Sequence, residues 1–372
     1  MNAIMKRVLV GMSGGVDSAV TAYLLKKEGY EVCGVTLRTW APDDGTDGRC
    51  CEIDDARRVS EALGIRFYPL NCVSDFARTV VDPFVRSYLS GQTPNPCIEC
   101  NRFLKWDKML YAAKVMQADY IATGHYAHVV QLENGRYTVK KALYAAKDQT
   151  YMLYKLTQEQ LAATLMPLGD YAKDQVRQIA QEASLPVAHK PDSQEICFVT
   201  DGHYADFIKE YAKKKNSAAS GHSASDSLMQ VPGAGNFVDE DGNILGTHKG
   251  ITHYTIGQRK GLGIAMGRPI YVKEIRALSN EVVLSDEPAL FKNVVTVRDV
   301  NFLSIPGMAA GEQLRARAKV RYHHAAAPAL LEMLDDGLLR ITFDDPVRAA
   351  APGQSSVFYD ENDCVIGGGI IM

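Results

Sequence analysis

Eight consecutive residues, Gly11, Met12, Ser13, Gly14, Gly15, Val16, Asp17 and Ser18, constrain this chain more than any other stretch. They follow Lys6-Arg7-Val8-Leu9-Val10, a short apolar run that reads as a buried parallel strand. They lead into Ala19–Gly29, where Val16, Val20, Tyr23 and Leu24 keep helical spacing and Gly29 is a stop signal. The octapeptide is therefore a tight turn from a strand end into a helix start. Free N–H groups at a helix N-terminus, reached over small residues, make a seat for phosphate. Gly14 and Gly15 remove bulk, and Ser13 and Ser18 add hydroxyls. Asp17 is out of place in a pure anion site, and a Mg²⁺ between it and a triphosphate accounts for it.

A Walker A loop needs a Lys after its last glycine, and none is present. The stretch instead resembles the Ser-Gly-Gly-x-Asp-Ser loop (PP-loop) of the N-type ATP pyrophosphatases. That resemblance implies cleavage of ATP between its α and β phosphates, with AMP passing to an oxygen of the substrate.

The sequence around the loop agrees. Val32–Leu37 and Arg66–Leu70 read as further strands, with a helix over Asp54–Leu63 between them. Such alternation predicts an α/β fold with a doubly wound parallel sheet and ligands at the carboxyl ends of its strands. Phe76–Leu89 reads as an amphipathic helix. Gly91–Arg102 contains Pro94 and Pro96 and reads as a shaped loop ahead of a helix over Phe103–Met116. Ala118–Ala127 reads as a strand, and Asn134-Gly135 as the turn of a hairpin. Lys147–Tyr151 is a polar turn. Asp174–Ala183 reads as a helix capped by Asp174, and Pro191–Val199 as a second proline-marked loop.

The 372 residues leave room for two or three domains, and an apolar content of 46% is that of a globular protein. No apolar run approaches the ~20 residues that span a bilayer. No signal-peptide core precedes the first strand, so a cytoplasmic location is expected. The net charge of −3 neither supports nor excludes a nucleic-acid partner, because binding needs a local basic surface. Eight cysteines in such a chain are not a disulfide framework. Cys33, Cys72 and Cys364 lie in strand-like runs and read as small buried hydrophobes. Cys50, Cys51, Cys97, Cys100 and Cys197 lie in polar or turn-rich stretches where reactivity is the better reason for a thiol. Adjacent Cys50 and Cys51 are poorly placed to share one ion, and a loop feature without chemistry is the simpler reading.

Five short motifs now stand in order: the PP-loop, Asn-Pro-x-x-x-Cys-Asn at 95–101, Ala-Thr-Gly-His-Tyr-Ala at 122–127, Lys-Asp-Gln at 147–149 and Ile-Cys-Phe at 196–198. Together they resemble the tRNA-specific 2-thiouridylase family. The similarity extends to Gly250–Leu262, which matches the family's central region and reads as part of a small β-rich domain. Beyond Pro288, β-like runs at Val294–Val300, Gln313–Tyr322, Leu338–Phe343, Ser355–Tyr359 and Val365–Ile371 point to a C-terminal antiparallel barrel, as in the family. Lys213–Ser227, rich in Lys, Ser and Ala, reads as a linker or excursion. The division expected is a catalytic domain over 1–208, a central domain over 209–285 and a barrel over 286–372.

The resemblance implies replacement of O2 of the wobble uridine (U34) of tRNA by sulfur, in Lys, Glu and Gln isoacceptors, with ATP and Mg²⁺. A cysteine desulfurase or a relay protein would supply the sulfur. It implies a persulfide on Cys197 and a partner role for Cys100, which either assists the attack or closes a Cys100–Cys197 disulfide. It places Leu37 and Gly124 at the nucleotide. It places Asn95, Pro96, Cys97, His125, Lys147, Asp148, Gln149, Arg321, Tyr322 and Gln354 at the tRNA or the target base. Many family members carry Asp where this chain has Cys97. Cys97, Cys100 and Cys197 make three thiols, enough for a [4Fe–4S] cluster with an open iron, and this is the secondary mechanism. Arg315, Arg317, Lys319 and Arg321 alternate along one strand face, with Tyr322 beside them. A solvated face is the plain reading. RNA contact is favoured because no acidic residue interrupts the run. The rival functions are a PP-loop ligase or amidotransferase acting on a small molecule, and an RNA-binding protein with a dead ATPase site.

Overall fold

The computed structural model describes residues 5–40, 53–192, 196–199, 203–219 and 229–372. The Pro42–Cys51 loop, with Cys50 and Cys51, lies outside them.

Five parallel strands form the first sheet: β1 (Arg7–Gly11), β2 (Glu31–Arg38), β3 (Arg66–Asn71), β4 (Tyr120–Ala122) and β7 (Thr164–Leu165). Their order is β3-β2-β1-β4-β7. The chain runs outward from β1 to β3, then returns to place β4 on the other side of β1. The crevice between the carboxyl ends of β1 and β4 is thus a topological switch point, where such sheets bind ligands. Both faces are covered, as buried parallel strands require. Val8 and Val10 pack against α1 (Val16–Lys27), α2 (Ile53–Leu63) and α8 (Lys173–Glu182). Leu9, Cys33 and Val35 share a second core with α3 (Val73–Phe76), α4 (Asp82–Leu89), α5 (Pro96–Cys100) and α6 (Asp107–Val115).

Several local expectations change. The helix expected from Phe76 starts at Val73 and passes through a π-helical turn, Ala77–Val81, just before Pro83. A helix also begins at Pro96, inside the expected loop. Proline is at home in the first helical turn, where its missing N–H has no partner to lose. Asp174 is not the cap of α8. It sits inside the first turn, and Gln175 Oε1 accepts from the N–H of Ala172. The strand expected over Ala118–Ala127 is only three residues long before the chain bends at Thr123.

A hairpin of β5 (Ala127–Gln131) and β6 (Tyr137–Lys141) follows β4, and the short α7 (Gln158–Ala162) precedes β7. Helix α9 (Tyr204–Ala219) takes in the first half of the expected linker, because Lys and Ala favour helix as readily as solvent. The second sheet is β10-β11-β8-β9, from β8 (Gly235–Val238), β9 (Ile244–His248), β10 (Tyr271–Arg276) and β11 (Glu281–Ser285). The Gly250–Leu262 segment is loop and a single 3₁₀ turn rather than strand. The last unit is a closed antiparallel barrel in the order β12-β15-β14-β13-β16-β17. Its strands are β12 (Phe291–Phe302), β13 (Gln313–Lys319), β14 (Ala327–Met333), β15 (Leu339–Arg348), β16 (Ser355–Tyr359) and β17 (Val365–Ile371). Strand β14, Ala-Pro-Ala-Leu-Leu-Glu-Met, was not among the runs expected. Its composition favours helix, and pairing with β13 and β15 overrides that preference.

The barrel is not an appendage. Leu303, Val357, Tyr359 and Val365 belong to the same buried cluster as the first sheet's Leu9 and Cys33. Asn301 Nδ2 donates to the carbonyl of Tyr154 at 2.6 Å, and Thr138 Oγ1 to that of Val365 at 2.6 Å. Among the described residues, no helix is long and apolar enough to cross a membrane.

Candidate active site

The PP-loop leaves β1 at Gly11 and enters α1 at Val16. Its turn is held to β2: Met12 N–H donates to the carbonyl of Val35 at 2.7 Å, and the buried Thr36 hydroxyl to that of Met12 at 2.5 Å. Gly14 has φ +73°, a conformation in which a side chain is strained. The Ser18 hydroxyl accepts from Ser13 N–H at 3.1 Å and donates to the carbonyl of Gly15 at 3.1 Å, so it shapes the loop from within. The N-cap residue Gly15 brings no capping side chain, which leaves the first-turn N–H groups of α1 to a ligand.

Gly124, just past β4, closes the other wall. A Cβ there would stand 2.9 Å from the backbone of both Asp17 and Ser18. Leu37 lies near the end of β2, paired with Leu70. Asp17 Oδ1 accepts from the Tyr126 hydroxyl and from Lys173 Nζ, both at 2.7 Å. Lys173 also stands 2.8 Å from Asp192, which Arg177 and Lys147 reach at 2.9 and 3.1 Å. Lys190 Nζ donates to the carbonyl of Gly14 at 3.1 Å and to Asp55 at 2.7 Å. Sequence reading assigned no role to Tyr126, Lys173, Arg177, Lys190 or Asp192, because each is an ordinary residue until the fold brings it to the loop. The glycine-rich turn, the close wall at Gly124 and the Asp17 carboxylate fit a nucleotide with Mg²⁺.

The cysteines occupy different settings. Cys33, Cys72 and Cys364 are buried, as their apolar surroundings predict. Cys100 is also buried, against the expectation of a polar loop, because it ends α5 with its side chain in the core. Cys97 is exposed in the first turn of that helix, and Cys197 is half-buried. Asn95 caps α5, its Oδ1 accepting from Cys97 N–H at 3.2 Å, and Pro96 is the first helical residue. A π-helical turn, Asn101–Trp106, follows Cys100 at once, and Asn101 Oδ1 is buried there without a hydrogen-bond partner. Cys197 is anchored by its neighbour. The Phe198 ring meets Phe76 at 5.5 Å and Phe84 at 5.2 Å, on the helices that lead to α5. Cys100 and Cys197 therefore pack into one core on one side of the sheet. Among the described residues, no group of three His, Cys, Asp or Glu side chains could hold a metal. Cys97, Cys100 and Cys197 do not assemble a donor set, and the residues do not fit an iron–sulfur cluster.

His125 lies between the ring of Trp106, 5.4 Å away, and the Thr123 hydroxyl, 2.9 Å from Nδ1. Burial pushes its pKa down to about 3, with the Lys105 charge acting the same way, so the imidazole is neutral. Gln149 and Tyr126 bind each other twice through Gln149 Oε1, Gln149 N–H and the Tyr126 backbone. Asp148 points inward to Thr150 and the N–H of Ala142, and burial raises its pKa. The Tyr322 hydroxyl donates to the Asp148 carbonyl at 3.0 Å. Gln354 Nε2 donates to the carbonyl of Thr93 at 3.0 Å, beside Asn95. Arg321 donates to the carbonyls of Ile256 and Ala349, joining the second sheet's unit to the barrel. The uninterrupted basic face does not survive folding. Arg315 pairs with Asp344 and Arg317 with Asp363, acids that other parts of the barrel supply. Lys319 lies over the rings of Tyr151 and Tyr322.

Comparison with known proteins gives this geometry a family. A model described as a tRNA methyl transferase HUP domain matches residues 6–201. A tRNA methyl transferase PRC-barrel domain matches 227–286 and an aminomethyltransferase β-barrel domain 292–371. The tRNA-specific 2-thiouridylase MnmA of Lachnoclostridium phytofermentans is 49% identical, over 99% of this chain and 100% of that protein. The chain belongs to the tRNA-specific 2-thiouridylase family. The family member from Acetivibrio thermocellus is 50% identical over 99% of both chains. A solved U34-tRNA thiolase, NcsA from Methanococcus maripaludis with its [4Fe-4S] cluster, is 19% identical over 58% of this chain and 67% of that one. Its TM-score of 0.35 is too low to inform the site of this 2-thiouridylase-family chain.

Proposed function

We propose that this chain catalyses ATP-dependent 2-thiolation of the wobble uridine of tRNA, with U34 of the Lys, Glu and Gln isoacceptors as substrate. The observation that carries the reading is the link between loop and thiol. Lys173 binds both Asp17 of the PP-loop and Asp192, which precedes Cys197 by five residues in the chain. This ties the loop to the segment that carries Cys197 and supports a reading in which nucleotide chemistry and a cysteine act together. Two of the matching domain descriptions speak of methyl transfer, but a PP-loop and two cysteines in motif in one domain suit adenylation and sulfur transfer.

The PP-loop and Gly124 would hold ATP, and the Asp17 carboxylate would hold a Mg²⁺, which would supply neutralisation of phosphate charge. O2 of uracil attacks the α-phosphorus, and the carbonyl oxygen becomes part of a good leaving group. The terminal sulfur of a Cys197 persulfide then attacks C2, and AMP departs with the electron pair of the C2–O bond. The Cys100 thiolate attacks Cys197 Sγ, which breaks the S–S bond, leaves the sulfur on the base and forms a Cys100–Cys197 disulfide. A thiol reductant, itself oxidised to a disulfide, reopens it, and the persulfide donor then transfers its outer sulfur to the Cys197 thiolate. His125, being neutral, lines the base pocket with Asn95, Pro96 and Cys97 and hydrogen-bonds without charge. Lys147, Asp148, Gln149, Arg321, Tyr322 and Gln354 bind tRNA largely by shaping the seam of catalytic domain and barrel. The domains divide at 208/209 and 285/286, and the reaction runs in the cytoplasm with a cysteine desulfurase or relay protein as donor.

The test is mass spectrometry of tRNA nucleosides after incubation with protein, ATP, Mg²⁺, cysteine and a cysteine desulfurase. Wild type forms 2-thiouridine. Cys197→Ser and Cys100→Ser each lower its rate by roughly 100-fold or more. A Cys197→Ser variant that thiolates at the wild-type rate refutes the reading.

A further inference from the structure

A PP-loop has no lysine of its own, yet the pyrophosphate that leaves ATP carries several negative charges that must be met as they develop. The structure assigns that task. We propose that Lys173 and Arg177 are the cations that stabilise the departing pyrophosphate, and that Asp192 occupies them in its place between turnovers. The inference rests on the ATP-dependent reading above.

Lys173 is the first residue of α8 and Arg177 lies one turn further on the same helix, so both side chains share a face. Helix α8 packs directly on α1, whose uncapped N-terminus is the phosphate end of the PP-loop. Lys173 is well buried, with only 12% of its side chain exposed, and its Nζ is 2.7 Å from Asp17 Oδ1 and 2.8 Å from Asp192 Oδ1. Arg177 donates to that same Asp192 oxygen at 2.9 Å, and Lys147 reaches the other oxygen at 3.1 Å. Two carboxylates, Asp17 and Asp192, thus answer three cations, and Asp192 alone meets all three, a surplus of positive charge that suits a polyanion. Arg and Lys are also the side chains that hold phosphate oxygens best. Lys190 already has two acceptors, Gly14 and Asp55, and remains a strut of the loop.

In the step proposed, O2 of uracil forms a bond to the α-phosphorus while the bond from that phosphorus to the α–β bridging oxygen breaks. The bridging oxygen keeps the electron pair, the ring's N3 proton passes to water, and pyrophosphate leaves against Lys173 and Arg177. Asp192 returns to the cations as the pyrophosphate departs.

The experiment is calorimetric titration of magnesium pyrophosphate into the full chain without tRNA. Lys173→Ala weakens binding ~10-fold or more, as loss of a charge-assisted contact requires. Asp192→Asn tightens it ~3-fold or more, because an internal competitor is removed while the cations stay. Lys273→Ala, at the Lys273–Glu240 pair on the second sheet, leaves binding unchanged. Asp192 as a mere positioner of Lys173 would give the opposite sign. Unaltered binding in Lys173→Ala, or weaker binding in Asp192→Asn, overturns the proposal. Should Lys173→Ala lose its thermal transition, the sign for Asp192→Asn decides alone. A failure to form 2-thiouridine in the tRNA assay would refute the thiolation reading without touching this binding result, which uses no tRNA.

Discussion

Gly124 and Asp17 touch backbone to backbone: a Cβ on Gly124 would lie 2.9 Å from the Asp17 carbonyl carbon. The end of β4 and the first turn of α1 therefore meet as one wall of the crevice, and only glycine permits it. In Gly124→Ala the two segments must part by several tenths of an ångström, which moves Asp17 and the first-turn N–H groups. The expected outcome is a KM for ATP raised ~10-fold or more, with the fold retained, since misplacement of this order has effects of that size. Steady-state kinetics of thiolation checks it.

Thr36 holds the loop from beneath, its buried hydroxyl bound to the Met12 carbonyl. Thr36→Val keeps the shape but leaves that carbonyl without its partner. The expected loss of stability is about 1–3 kcal/mol by urea denaturation. A larger loss of ATP affinity than of overall stability would mark the bond as one that shapes the loop.

His125 has a pKa of about 3 in the folded protein, against an ordinary 6.5. Between those values the unfolded chain binds a proton that the native chain refuses. The stability tied to this group is complete above pH 6.5 and falls as the pH drops toward about 3. His125→Gln is expected to flatten part of the acid side of the stability curve. Urea midpoints of both proteins at about pH 7 and about pH 5 measure it.

Gly368, in β17, leaves 2.6 Å between a would-be Cβ and the ring of Tyr154, and 2.7 Å to the carbonyl of Ser356. Tyr154 is fully buried and bonded to Ser355, so it has nowhere to go. Gly368→Ala is expected to cost about 1–3 kcal/mol through overpacking at the seam. A shift of the thermal midpoint reports it.

Cys97 is exposed at the second position of α5, where an acidic side chain suits the helix dipole. Cys97→Asp is expected to keep thiolation within ~3-fold of wild type. Protein purified without oxygen is expected to be active with no bound iron, measured by elemental analysis alongside the rate.

The PP-loop, the alternating strands and helices and most of the barrel were legible in the sequence because each is a local pattern. Val8, Leu9 and Val10 must be buried, and Gly14 must turn. Legibility failed where a neighbour in space overrode the local signal. Ala327–Met333 is helical by composition and a strand by pairing. Pro96 looked like a breaker and starts a helix. The alternation of Arg315, Arg317, Lys319 and Arg321 was real, but Asp344, Asp363 and the Ile256 and Ala349 carbonyls answer three of them from other segments.

The linear chain was enough to establish a nucleotide loop, two cysteines in motif, the class of each domain and the family, since short-range spacing and residue type carry all of these. Which cations face the phosphates was decided only by folding. Lys173, Arg177 and Asp192 lie 156 or more residues from Asp17. They reach its site because α8 packs on α1, and a charge acts on whatever lies within a few ångströms, however distant in sequence.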